Sequence, residues 1–594
     1  MKTISYMSAC LIALVLVVAC QSAAAPEVIE REIEVTREVQ VAGETRVETK
    51  VEEVMVEVTK EVQVAGETRI ERVMVVATPT PVPTPSAVEE GPSGELIAAA
   101  DDLVNMSTDN LGLLSVPQSS IYMEEMFDFL VDLDFDNKLV PGLAESWELS
   151  DDQLTWTFKI REGVKFHDGS DVTAEDVAYS WNRTFFDPRG GNSTALEKAT
   201  RTESLTAASD HEFVIKTHKP EATAWLWGSF PEITSGSFTY SKAQIEADEE
   251  AFRVNPVGTG PYEFDSRIPN QFITMTASPV GHWRKDPGFQ TVTILEIPEL
   301  ATRMALLKTG AADIIGASIS SKEEILENNL QVFSAPSTTV SVIWCWYQWS
   351  PGHPCNDPKI REAIAISIDR QTIADRLYLG EAFPIGNFVA APNTFGYDPT
   401  LEPQPYDPDR AKQLMAESTF PDGFEVQIET YLNDSDFPGL PTLAEAVLGY
   451  LGEIGITGEV KVYDWTNLSG TLRTRGQNPT PEERPYPLVV RGNDSRYTTL
   501  RWMNGWYHST NSVRPVVGDS TPHIDVLLDS ANAEFDLDKQ EEFIREYNRV
   551  LTQEFRHAPL ITANAVFGIS NKVKEWTPIT GRPFPHNFWS ARPH

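Results

Sequence analysis

Cysteine is scarce in this chain, with four among 594 residues, too few for a cysteine-based metal cluster. Histidine offers no metal site either. His167, His211, His218, His282, His353, His508, His523, His557, His586 and His594 are scattered, with no close pair at metal-ligand spacing, so neither a bare metal ion nor a cofactor is implied. Basic side chains are also few, 48 against 87 acidic ones, and the net charge of −39 repels nucleic acid and disfavours extended docking on an anionic lipid surface. Solubility is the plainest reading of that acidity. No Gly-x-x-x-x-Gly-Lys-Ser/Thr phosphate loop occurs. The string Gly518-Asp519-Ser520 with His523 lacks the Gly-x-Ser-x-Gly strand-to-helix setting, so no catalysis is expected. The N-terminal apolar run, Leu11 to Ala19, is nine residues long and too short to span a bilayer.

That run follows Met1 and Lys2 and reads as the core of a secretion signal. Val17-Val18-Ala19-Cys20 comes directly after it and resembles the lipobox of bacterial lipoproteins, which implies Cys20 as the acylated anchor and residues 1–19 as signal peptide. Cleavage of an ordinary signal peptide near Ala23, Ala24 or Ala25 is the other reading. Residues 20–93 then form a stalk. Its sequence REVQVAGETRVE, from Arg37, returns as KEVQVAGETRIE from Lys60, a period of 23 residues. Alternating valines favour extended structure, and Thr78 to Pro85 carries closely spaced prolines suited to a stiff spacer. Plain disorder would serve the same mechanical end.

At 594 residues, with 41% apolar and 23% charged side chains, the remainder should fold into several globular parts. The early globular part alternates strand-like and helix-like segments in the manner of a mixed α/β protein. TWTFKI, Thr155 to Ile160, predicts a strand. Thr173 to Asp176 predicts a capping box for a helix reaching about Arg183. Asp357-Pro358 starts another helix, with Ile360, Ile364 and Ile368 on one stripe and a stop signal at Gly380. Asp407-Pro408 repeats that start. Leu443, Val447, Leu451 and Ile454 mark a further amphipathic helix.

Several blocks together resemble the family 5 extracellular solute-binding proteins, the oligopeptide-, dipeptide- and nickel-binding components of ABC importers. The most specific is LVPGLAESWELSDDQLTWTFKIREGVKFHDGSDVTAEDVAYSWNR, from Leu139 to Arg183. NPVGTGPYEF from Asn255, DPKIREAIAISIDRQTIADRLYLGEAFP from Asp357, YDPDRAKQLMAE from Tyr406 and LAEAVLGYLGEIGI from Leu443 follow in order. Signature residues such as Thr259, Gly260, Pro261, Asp176 and Arg183 are expected to build scaffold, not to touch solute. The resemblance implies an α/β, two-lobed periplasmic-binding-protein type II fold, with an extra domain inserted in the first lobe and the disordered or extended stalk before it. Carried onto this chain, lobe one combines 94–135, 230–330 and 555–594, the inserted domain holds 136–229, and lobe two holds 331–554. The crossings fall near Phe333 and Leu560.

The implied function is an extracytoplasmic capture protein, anchored by lipid on the periplasmic or cell-surface side. It would pass a small-molecule solute, a peptide or an oligosaccharide, to an ABC permease with its ATPase subunits, without nucleic acid. A ligand-presenting sensor lipoprotein is the alternative. For the cleft, Trp344-Cys345-Trp346-Tyr347-Gln348-Trp349 stands just after the first crossing. Trp344, Trp346, Tyr347 and Trp349 are therefore candidate contacts, with core packing open for part of them. Where peptide-binding relatives carry a Trp-Ala-Asp-Tyr-like segment whose aspartate pairs with the peptide amine, this chain has RGNDSRY from Arg491. Asp494 is the nearest match and Arg491 a neighbouring candidate, and an Asp494 pairing with a nearby arginine is equally open. Trp502, Trp506 and Tyr507 extend the aromatic region. Cys345 and Cys355 are either a disulfide closing a small loop or two buried thiols.

Overall fold

In a computed structural model, the backbone is described for residues 33–41, 44–52, 61–64 and 67–70. From residue 91 on, everything is described except 102, 104–119, 137, 187–197, 229–237, 346–351, 393, 432–436, 464–467, 469–485, 495–499, 501–502, 504–507, 509–521 and 580–584. Residues 120 and 494 are described by backbone alone. The chain divides into two units, Met1–Glu89 and Glu90–His594. Cys20 and the proline-rich run lie outside the described residues. In the first unit Ile33–Val41 pairs antiparallel with Glu44–Glu52, and Glu61–Val64 pairs with Glu67–Ile70. Val41 faces Glu44 and Val64 faces Glu67, so the sequence repeat returns as two hairpins closing at equivalent positions.

Among the described residues of the second unit, fifteen strands make up its two larger sheets. They are β1 (Glu95–Ala100), β2 (Ala144–Leu149), β3 (Thr155–Ile160), β4 (Thr202–Ser209), β5 (Glu212–Thr217), β6 (Tyr262–Ile268), β7 (Phe272–Ala277) and β8 (Thr291–Glu296). Then come β9 (Ile314–Ala317), β10 (Gln331–Cys345), β11 (Ala382–Pro384), β12 (Phe424–Tyr431), β13 (Ile456–Tyr463), β14 (Tyr486–Asp494) and β15 (His557–Ile569). Four of them, in the order β4-β5-β3-β2, make a small antiparallel sheet. Helix α1 (Ala174–Phe186) covers it, and Phe158, Trp181 and Phe213 pack between the two layers. The predicted strand TWTFKI buries alternate residues, as a one-faced sheet requires. The capping box forms with its roles partly reversed: the Asp176 carboxylate accepts both from the Thr173 amide, at 3.0 Å, and from the Thr173 hydroxyl, at 2.8 Å.

The other eleven strands make one sheet, β6-β7-β8-β1-β9-β15-β10-β14-β12-β13, with β11 on the side of β15. Its left part, through β9, carries the lobe-one core of Phe127, Tyr262, Ile294 and Phe567. Its right part, from β14, carries the lobe-two core of Ile364, Val447, Leu451 and Val490. Strands β10 and β15 belong to both: residues 331–336 pair with 564–569 on one side, and 340–344 with 557–562 on the other. Phe333 and Leu560 lie on these two connections.

Helix α2 (Pro358–Ile366) begins as its sequence predicts, with the Asp357 side chain accepting from the Lys359 amide at 2.9 Å. It does not run to Gly380. The backbone leaves the helix at Ser367, and Asp369 caps a separate helix α3 (Arg370–Arg376) by accepting from the Thr372 amide. Ser367 and Asp369 offer local side-chain partners that compete with helix continuation, and the isoleucine stripe conceals that break.

Candidate functional site

Strand direction locates the site. In lobe one β1, β8 and β9 are mutually parallel, and in lobe two β12, β13 and β14 are mutually parallel. Both β9 and β10 run antiparallel to β15, so the lobe-one set points along β10 toward the crossing. Strand β14 runs antiparallel to β10, so the lobe-two set points back at the same level. Carboxyl ends of parallel strands from the two halves therefore converge there, the place where open α/β sheets bind ligands. Asp101 and Glu296 stand at the lobe-one ends, Tyr431, Tyr463 and Asp494 at the lobe-two ends. Partial burial pushes the Glu296 carboxyl up, and Asp101 adds to this against a hydrogen bond from Leu103. Arg303 is buried just beneath, its guanidinium donating to the carbonyls of Ile297, Pro298 and Gly316.

The crossing itself is a polar hinge that sequence reasoning missed. The register of β10 against β15 slips between Pro336, opposite Asn564, and Val340, opposite Thr562. The Thr562 hydroxyl fills the slip, donating toward the carbonyls of Ser337 and Thr339 at 3.1 and 3.0 Å. Ser341 both donates to the Ile561 carbonyl and accepts from its amide. Glu381, just before β11, receives Lys322 of the short lobe-one helix Lys322–Glu327, together with Ser334 at 2.9 Å and Asn564 at 2.6 Å. Partial burial would raise the Glu381 carboxyl, but these hydrogen bonds outweigh it and hold it low. Thr562 and Asn564 interrupt the apolar run of β15, a signal available in the sequence.

The candidates proposed from sequence separate along β14. Asp494 pairs with Thr339 at the cleft end, whereas Trp344 pairs with Val489 five residues deeper, roughly 16 Å along the strand at ~3.3 Å per residue. Trp344 is a core residue, not a cleft contact. It is buried at 2% exposure among Phe388 and His557, with the Arg491 guanidinium 4.5 Å over its ring. The expectation erred on direction: β10 enters lobe two at the cleft and ends away from it. Arg491 is buried as well, its Nε donating to the Gly492 carbonyl at 2.9 Å. The Gly492 amide in turn donates to the Tyr431 hydroxyl at 3.3 Å, tying β14 to β12. Trp346, Tyr347, Trp349, Trp502, Trp506 and Tyr507 lie outside the described residues. Cys345 and Cys355 are both buried, and their sulfurs are not joined in this structure.

Signature residues serve the scaffold. His167 bonds the turn at Gly258 and Gly260, and the Thr259 hydroxyl accepts from the Asp128 amide at 2.9 Å. Asp128 accepts from His282 and Trp283, tying the segment that leads toward the inserted domain to the loop after β7 within lobe one. Arg183 pairs with Glu249 at 2.6 Å.

Residues 138–514, more than half of the chain, match the family model of bacterial extracellular solute-binding proteins, family 5, middle. The chain belongs to that family. Its relatives include heme-binding protein A of Haemophilus influenzae, 26% identical over 393 residues that cover 61% of this chain and 71% of that protein. The glutathione-binding protein GsiB of Escherichia coli is 29% identical over 368 residues, covering 60% and 68%. Among solved structures, the periplasmic binding protein DppA of Helicobacter pylori, in complex with the peptide STSA, aligns with a TM-score of 0.69 at 21% identity. That alignment covers 84% of this chain and 98% of DppA. A dipeptide-binding protein from Pseudoalteromonas, in complex with Met-Leu, also gives 0.69 at 19% identity, covering 84% and 100%. This family 5 protein thus has the two-lobed type II fold, with a domain inserted in the first lobe. It is an extracytoplasmic solute-binding component of an ABC importer. Among the described residues no helix is long and apolar enough to cross a membrane, and no side-chain group could hold a metal ion.

Proposed function

We propose that this family 5 protein captures a peptide-like solute between its lobes, without chemistry, and hands it to the permease while a lipid on Cys20 holds it at the membrane. The observation that carries the reading is the convergence of strand ends on the crossing, with Asp494 opposite Thr339 at that level. An aspartate at that strand end would suit a solute ammonium group, and Asp101 and Glu296 at the strand ends of the facing lobe favour a positively charged end as well. Relatives named for glutathione and structures holding STSA or Met-Leu support a peptide over a sugar. Binding works by closure: solute contacts to both lobes favour the closed form over the open one by their differential affinity. The stalk gives the lobes reach from the anchor.

Native mass spectrometry of the purified protein, followed by thermal-shift screening of peptides and oligosaccharides, tests the solute class. Short peptides should raise the melting temperature. A response confined to sugars would sink the peptide reading. For the anchor, Cys20→Ser should move the protein from the membrane fraction to the soluble one.

A further inference from the structure

Strand β10 ends at Cys345, and Cys355 stands in the turn Pro354–Asn356 that leads into α2. Both side chains are buried in the lobe-two core: Cys345 pairs across to Leu488 of β14, and the ring of His353, two residues before Cys355, packs on Tyr486 of that same strand. Burial first, and then the influence of Cys345, holds the Cys355 thiol well above its ordinary range, so it is no ready nucleophile. The neighbouring His353 is already engaged, its Nδ1 accepting from the Cys355 amide at 3.1 Å. The Arg361 guanidinium is bonded to the Cys355 carbonyl at 2.9 Å. What the arrangement does provide is two buried thiols beside the same stretch of β14, Tyr486 to Leu488, in a protein that works outside the cytoplasm, where disulfides persist.

From this placement we infer that Cys345 and Cys355 are an oxidative modification site, joined as an intramolecular disulfide in the mature protein. Each thiol gives up its hydrogen: two protons and two electrons pass to an envelope thiol–disulfide oxidant, whose own disulfide becomes a dithiol as the S–S bond forms. Because both sulfurs are buried in the folded lobe, the bond forms during folding and is afterwards shielded from reductant. It closes a ring over residues 346–354, which include the aromatic segment, and pins the far end of β10 to the start of α2. The pair lies at the end of the lobe-two sheet away from the cleft, so the bond braces the lobe and leaves the solute site alone.

The test uses the full chain exported by a bacterial host and isolated from the envelope without reductant. It is denatured in iodoacetamide and digested with chymotrypsin, which cuts after Trp346, Tyr347 and Trp349 and leaves the two cysteines on separate peptides unless sulfur joins them. The expected result is one cross-linked, unalkylated pair that separates into two peptides on reduction. Alkylation of both cysteines before any reduction would overturn the inference. As a second readout, reductant applied during unfolding should lower the melting temperature of the native sequence and leave Cys355→Ala unmoved; equal responses would count against the bond. Peptide affinity measured on the same preparation reports on the solute reading separately.

Discussion

His167 and Gly260 join the inserted domain to lobe one through a single hydrogen bond of 3.0 Å from Nε2 to the glycine carbonyl. Nδ1 of the same ring accepts the Gly258 amide at 3.2 Å, so the proton sits on Nε2 and the ring is neutral. Burial pushes its pKa down to about 4, against smaller opposing effects from the Gly260 bond and Asp128. The unfolded histidine takes up its proton near pH 6.5, so between roughly 6.5 and 4 the unfolded chain binds the extra proton. Stability is therefore full above that window and falls as pH drops through it, by roughly 3 kcal/mol from this residue. His167→Ala should flatten part of the acid slope in urea unfolding and cost about 2 kcal/mol at pH 8, where a buried amide loses its partner. An unchanged slope would refute the neutral-ring account.

Glu125 works in the opposite direction. Its carboxylate accepts from the amides of Phe588 and Trp589, holding the C-terminal segment on lobe one. Burial, and then the neighbouring Glu124, raise its pKa to about 8, more than Lys285 and the two amides lower it. A folded-state value above the unfolded one means stability is full below about pH 4.5 and lost as pH rises toward 8. Glu125→Gln cannot ionise, so its melting temperature should decline less between pH 6 and pH 9 than that of the native sequence. A parallel decline would place the alkaline loss elsewhere.

Two glycines should respond oppositely to one added methyl group. At Gly258 a Cβ would stand 2.0 Å from the Met126 carbonyl oxygen and 3.0 Å from the Phe127 ring, with backbone on both sides of the contact. Gly258→Ala is expected to cost about 2–3 kcal/mol. At Gly449, inside the helix Leu440–Gly452, nothing lies within 4 Å. Gly449→Ala should stabilise by about 0.5–1 kcal/mol through helix propensity alone. Chemical denaturation of the two variants checks both signs.

How far the sequence speaks depends on whether a signal is local. Thr173–Asp176 and Asp357-Pro358 act within one helical turn, and the corresponding helices begin where those residues place them. The break at Ser367 was hidden because Ile360, Ile364 and Ile368 keep the four-residue spacing across it, and all three are buried regardless. His167 and Gly258 sit 91 positions apart, and nothing in either neighbourhood announces the contact. Trp344 failed as a site residue for a different reason. Aromatic density is the same signal for a cleft and for a core, and only the direction of β10 relative to the crossing separates the two. The hinge contacts of Thr562 and Glu381 depend on a register slip that pairwise sequence reading does not supply.

That core reading of Trp344 has a direct consequence. Trp344→Ala would remove a ring packed against Phe388, His557 and Arg491, at an expected cost of about 3–5 kcal/mol, with solute affinity unchanged once the variant is folded. Affinity lost without a loss of stability would return Trp344 to the cleft.

Asp494 should behave in the reverse manner. It ends β14 opposite Thr339, at the level where the strand ends of both lobes meet. If its carboxylate receives the ammonium group of a peptide, Asp494→Ala should weaken a free-amine peptide by about 10-fold or more, since a desolvated charge pair is lost, and leave the unliganded melting temperature nearly unchanged. The same substitution should matter little for the N-acetylated peptide, which carries no charge to pair. Calorimetric titration of both peptides into both proteins closes a double cycle, and its coupling term isolates the amine–carboxylate contact from any general effect on closure. A near-zero coupling would reassign Asp494 to a structural pairing, as with a neighbouring arginine, and move the search for the amine partner to Asp101 and Glu296 on the facing lobe.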